Sequence, residues 1–235
     1  MIDKGYKNIW ILFAVILCII ILGFYRSYFS LFPGFENISL SQHVHTFLFL
    51  LYFALLFMQP FLIKKGKINL HRLIGKSTYI LVPLLAFSIF TVTKGQYYRE
   101  LSLYPQSRCI ANLIVPLPQL LLFVTLYILA MLHTKNTGYH MRYIIGTSIV
   151  LIGPGLGRII ILWLGLSFEQ GVQFCFFVTE IILIGLILYD MKRGNKYKPY
   201  TVLLILFLLC HISWYFLPYS PAWQLSCGRF VALFF

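Results

Sequence analysis

Residues 111–132 read ANLIVPLPQLLLFVTLYILAML, without one charged side chain. About 20 apolar residues in a helix cross the hydrocarbon core of a bilayer, where every backbone N–H and C=O must be bonded internally. This stretch is therefore read as a transmembrane helix. Working outward from it, comparable runs recur near 9–24, 45–63, 75–93, 143–165, 172–189 and 200–217, joined by short polar connections. Membrane β-strands would alternate in polarity over ~10 residues, and these runs do not. The sequence predicts an all-α integral membrane bundle of about seven transmembrane helices, forming one domain over residues 1–235.

Composition points the same way. Sixty per cent of the 235 residues are hydrophobic and 11% are charged, against roughly 25% charged in soluble domains. A net charge of +13 would suggest nucleic acid in a soluble protein. Here the basic residues sit at span ends, where they anchor helices and set orientation. The composition thus names the lipid bilayer as partner and argues against nucleic acid; it leaves the oligomeric state open. The first run follows Lys4 and Lys7 as a signal peptide would. It is too long, and Gly23-Phe24-Tyr25-Arg26 is no small-residue cleavage site, so it is read as a retained span.

One side collects Lys4, Lys7, Lys64, Lys65, Lys67, Arg72, Lys76, Lys135, Arg142, Lys192, Arg193, Lys196 and Lys198. The other holds Arg26, Lys94, Arg99, Arg108 and Arg229, with Arg158 inside a span. The excess places the N-terminus in the cytoplasm and the C-terminus outside. Basic turns of this kind also suit anionic lipid. The outer segments are rich in aromatic rings such as Tyr25, Tyr104 and Trp223, which suit the headgroup layer. Cys18, Cys175 and Cys210 fall within spans and read as packing residues. Cys109 and Cys227 both fall on the outer side, where an oxidising compartment would allow a disulfide.

Two inner turns echo one another. Leu70-His71-Arg72-Leu73-Ile74-Gly75 opens the third span and His140-Met141-Arg142-Tyr143-Ile144-Ile145-Gly146 the fifth. Each is followed by Ser or Thr and an apolar run containing Pro83 or Pro154. A duplicated helical hairpin would place His71 and His140 at equivalent depth. The series His45, Gln59, Leu-His-Arg-x-x-Gly at 70–75, His-x-Arg at 140–142 and the intramembrane Arg158 resembles an uncharacterised bacterial family of multi-pass membrane proteins, a domain of unknown function. The resemblance spans about residues 43–160. It implies the bacterial inner (cytoplasmic) membrane and brings no established activity.

Ionisable groups inside a bilayer are costly and are functional candidates by default. Arg158, Glu180 and His211 qualify. By helical rise, Arg158 and Glu180 lie within reach of each other, so an ion pair is expected. Gly153-Pro154-Gly155-Leu156-Gly157 before Arg158 weakens the helix; it reads either as a broken helix lining a ligand cavity or as packing through Gly153-x-x-x-Gly157. With Gln119, Arg158 and Glu180 outline a cavity for a small polar or anionic ligand, and hence binding or transport. The alternative cofactor is haem or a metal, held by His45 with His211 on the outer side and His71 with His140 on the inner, in the manner of a b561-type electron carrier. No span carries two histidines about fourteen residues apart, as such carriers do. Ser41 is expected to cap the second span, with His43 and His45 on opposite faces. No catalytic motif is present, so enzyme activity is left open. A third class, an assembly subunit of a membrane complex, would have no ligand of its own.

Overall fold

The computed structural model describes Tyr6 and residues 8–235. Lys4 and Lys7, counted above for orientation, lie outside the described residues. The chain is 82% helical and contains no strand among the described residues. In order, the helices are α1 (Ile9–Tyr25), α2 (Leu40–Lys64), α3 (Ile68–Leu101), α4 (Gln106–Asn112), α5 (Pro116–Leu132), α6 (Thr137–Val150), α7 (Ile152–Arg158), α8 (Phe168–Lys192), α9 (Lys198–Phe216) and α10 (Pro221–Phe234). A π-helical turn, Ile159–Trp163, continues α7.

Six of the resulting units are long and apolar enough to cross a membrane: α2, α3, α4–α5, α6–α7 with its π turn, α8 and α9. α1 is apolar but shorter at 17 residues, about 26 Å of helix against a core of about 30 Å. This is a multi-pass membrane protein. The turns 65–67, 133–136 and 193–197 gather at a lysine-rich end. The connections 26–39, 102–105, 164–167 and 217–220 gather at the opposite end. Two spans start earlier than their apolar runs because a serine begins each one. Ser39 and Ser167 form reciprocal capping boxes with Gln42 and Gln170. Ser39, not Ser41, is thus the cap of α2; the Ser41 hydroxyl only bonds the Ser39 hydroxyl.

The α6–α7 unit breaks after Val150. Pro154 has no N–H to give, and its ring crowds the carbonyl four residues back. The glycines beside it serve unequally. A Cβ on Gly23 would lie 2.1 Å from the Gly155 carbonyl oxygen, and one on Gly155 would lie 2.7 Å from Ile20 Cα. The close helix crossing therefore runs through Gly23 and Gly155, between α1 and α7. The expected Gly153-x-x-x-Gly157 seam is not the one used: Gly153 faces the Gln119 amide and Gly157 the Cys175 sulfur, both at ordinary contact.

At the opposite end α10 lies against α4. Tyr97, Cys109, Ile110, Leu113, Cys227 and Val231 form a second small core there, and Trp223 Nε1 donates to the Ile110 carbonyl at 3.0 Å. Cys109 and Cys227 share this core, but both are free thiols. The disulfide that their common side would allow is not formed. Burial pushes the Cys227 thiol up to about 11. Of the three cysteines read as packing residues, Cys175 is buried and Cys210 half-buried, whereas Cys18 is exposed.

Candidate functional site

Helix α8 carries three acids: Glu169, Glu180 and Asp190. Each has a basic partner from a different helix. Asp190, near the lysine-rich end, receives Arg142 Nε at 2.6 Å and Nη2 at 2.9 Å, a two-pronged pair with neither side chain exposed. Tyr6 donates its hydroxyl to the same carboxylate at 3.0 Å, and Asn195 its amide at 3.1 Å. Arg142 Nη1 donates to the Gly138 carbonyl at 2.9 Å and its guanidinium lies over the Tyr6 ring. Burial raises the Tyr6 phenol above its usual range. Arg142 was expected in a basic turn suited to lipid. It is sealed in the core because its position differs by one residue from that of Arg72. His71 and His140 are each the fourth residue of their helices, α3 and α6. Arg72 follows its histidine by one position and is exposed; Arg142 follows by two and is buried.

Glu180 lies about 18 Å below the start of α8. It does not pair with Arg158. Its Oε1 sits 2.6 Å from His211 Nδ1, while Gln173 Nε2 lies 3.0 Å from His211 Nε2. The His211 ring stacks on Phe176 at 4.5 Å, with Phe177 edge-on and Tyr215 on another side. Both ring nitrogens of His211 are thus engaged by protein groups. The outer pairing with His45 is not formed. His45 instead places Nδ1 3.0 Å from the Ser88 hydroxyl, tying α2 to α3. His43, on another face, meets the Tyr28 hydroxyl at 2.8 Å.

Arg158 is half-buried at the end of α7. Nη1 donates to the Pro154 carbonyl at 3.0 Å, and the guanidinium covers the Phe24 ring at 4.0 Å. Beside it Arg26 donates to the Leu162 carbonyl and covers Trp163 at 4.4 Å. Among the described residues, no carboxylate lies within 4.0 Å of Arg158: Glu169 meets Arg108, Glu180 meets His211 and Asp190 meets Arg142. His45 and Arg99 lie near Arg158. Gln119 lies against Gly153 on the same broken helix. The expected trio of Arg158, Glu180 and Gln119 is therefore divided, with Glu180 turned toward α9.

At the lysine-rich end His140 Nδ1 donates to the Ala130 carbonyl at 2.8 Å, which leaves Nε2 with a free lone pair. His71 lies near His140. His71 Nδ1 and both amide atoms of Gln59 are buried without a partner. No three His, Cys, Asp or Glu side chains among the described residues cluster as metal ligands.

No family model, curated protein or solved structure matches this chain.

Proposed function

We propose that this multi-pass membrane protein binds a small anionic or polar molecule, for passage or for sensing, with Arg158 as the anchoring cation. The supporting observation is a charge balance. Both acids inside the spans are already engaged, Glu180 by a hydrogen bond to His211 and Asp190 by an ion pair with Arg142, and among the described residues Arg158 is left without a carboxylate. A guanidinium has five N–H donors in a planar fork; one reaches Pro154. An anion arriving from the opposite end would meet Arg158 with Arg26, Arg99 and His45 close by, and Gln119 as a neutral donor. Glu180 is no part of this site. The orientation that accompanies this reading has the lysine-rich end cytoplasmic, in a bacterial inner membrane.

The test is thermal stabilisation of the purified protein by sulfate, phosphate and acetate in turn. One of them should raise the melting temperature. Arg158→Gln should weaken that anion by about 30-fold or more, since loss of a buried charge partner costs at least ~2 kcal/mol. Equal affinity in the variant would refute the reading.

A second reading, haem or metal ligation, has narrowed to His71 and His140. It is favoured by the backbone bond at His140 Nδ1, the usual device for presenting Nε2 as a ligand. The absorption spectrum of oxidised and dithionite-reduced protein decides it.

A further inference from the structure

We propose that Glu180 and His211 form a proton-transfer site, open to the opposite end of the bundle and closed toward the lysine-rich end. Hydrogen-bonded His and carboxylate groups at membrane depth are the material of proton relays, and this pair stands apart from Arg158. The bonds run in line along the bundle. Gln173 is about 8 Å from the start of α8 and Glu180 about 18 Å, with His211 between them. Tyr215, stacked on His211 at 5.5 Å, also lines a surface depression with Arg108, Glu169, Trp214, Tyr219 and Ser220. Protons reach the pair from that depression. On the other side, Leu183, Leu203 and Phe207 are 0%, 1% and 3% exposed. They form a dry layer between the pair and the Arg142–Asp190 cluster.

The step balances. Gln173 donates to His211 Nε2, so the ring proton is on Nδ1 and is donated to the Glu180 carboxylate. This arrangement carries one uncompensated negative charge in an apolar setting, which is costly. A proton from the depression adds to Nε2 as the Gln173 amide turns its carbonyl oxygen to accept it. The Nδ1 proton then passes over 2.6 Å to Glu180 Oε1. One proton has been taken up, the carboxylate has become a carboxylic acid, and the imidazole is neutral with its tautomer exchanged. Among the described residues, no other charged group forms an ion pair with Glu180 or His211. On α8, Glu169 faces Arg108 and Asp190 faces Arg142; Lys192 and Lys198 stand at the lysine-rich helix ends. The other titratable groups on α8 and α9 are Cys175, Tyr189, Tyr200, Cys210 and Tyr215, of which Tyr215 stacks on His211; α5 carries Tyr127, and α6 Tyr143, His140 and the paired Arg142. α7 contributes Arg158, which covers Phe24 instead.

Dicyclohexylcarbodiimide, an apolar reagent, converts protonated carboxyls to N-acylureas that peptide mass spectrometry locates. Glu180 labelling should rise several-fold as the pH falls across the histidine range, about 8 to 5, while Asp190 stays unlabelled. In His211→Phe the carboxyl is alone in an apolar site, so labelling should be high and indifferent to pH. Glu180→Gln provides the blank. In sealed vesicles of known orientation, acidifying only the side of the depression should raise labelling. A wild-type Glu180 that never labels would be a permanent ion pair, and one that labels equally at every pH would be permanently protonated; either overturns the proposal. So does a response to the lysine-rich side alone. If His211→Phe does not fold, the wild-type pH series still decides.

Discussion

Asp190→Ala should be among the most damaging single changes in this protein. It removes a carboxylate that accepts from Arg142 Nε, Arg142 Nη2, Tyr6 and Asn195, and takes this two-pronged partner away from a guanidinium with zero exposure. Breaking a buried pair from one side costs about 3–5 kcal/mol, because the surviving charge stays buried and uncompensated. Replacing both members by apolar groups of similar volume is often neutral. Asp190→Ala should therefore lose about 3–5 kcal/mol, whereas Arg142→Met with Asp190→Leu should lose only ~1 kcal/mol, despite two altered side chains. The assay is reversible denaturant unfolding in detergent, followed by tryptophan fluorescence, for the wild type, both single changes and the double change. A double variant as damaged as the sum of its single changes would refute the argument. It would mean that shape, not charge compensation, holds α6 to α8.

Gly23→Ala should force α1 and α7 apart, since the new Cβ would sit 2.1 Å from a backbone oxygen; overpacking of this kind costs about 1–3 kcal/mol. Gly185→Ala is the control: no atom lies within 4 Å of the added group, so helix propensity should leave stability unchanged or raise it by up to ~1 kcal/mol. Alkylation of Cys227, with its thiol raised to about 11, should quicken about tenfold for each unit that the pH rises toward that value, because the thiolate is the nucleophile; a rate flat with pH would mean that access, not ionisation, limits it.

The spans were legible because bilayer thickness imposes one length on all of them, and the break at Pro154 because a proline cannot close the bond it interrupts. Helix ends were less so. Ser39 and Ser167 add polar turns to helices whose apolar runs begin later, and a hydropathy count passes over those turns. Pair partners were the least legible. Depth can be counted along a helix from its end, but azimuth depends on how the helices pack. Arg158 and Glu180 came within side-chain reach by depth alone, yet they point to different neighbours. The misreading of Arg142 has the same origin: one residue of offset, about 100° of helix rotation, separates a solvated turn from the core. One unused signal could have found the true partners. Glu169, Glu180 and Asp190 recur at eleven and ten residues, roughly three helical turns each.

That spacing explains why α8 organises the bundle. Three acids three turns apart stay within about 80° of one another around the helix, so they make one stripe from end to end. Arg108 before α5, His211 on α9 and Arg142 on α6 each meet one of them. Between helices in lipid there is little hydrophobic force to set rotation, because lipid tails are as apolar as leucine. A stripe of three bonds at three depths supplies it: turning α8 by half a turn or sliding it by one would break all three. The face of α8 away from Glu180 bears Cys175, which donates to the Gly153 carbonyl and touches Gly157. That is the side on which α7 and Arg158 lie. The same rotation that satisfies every acid on α8 therefore turns the helix's sulfur and small side chains toward α7, and this is the geometric reason Arg158 meets no carboxylate from α8.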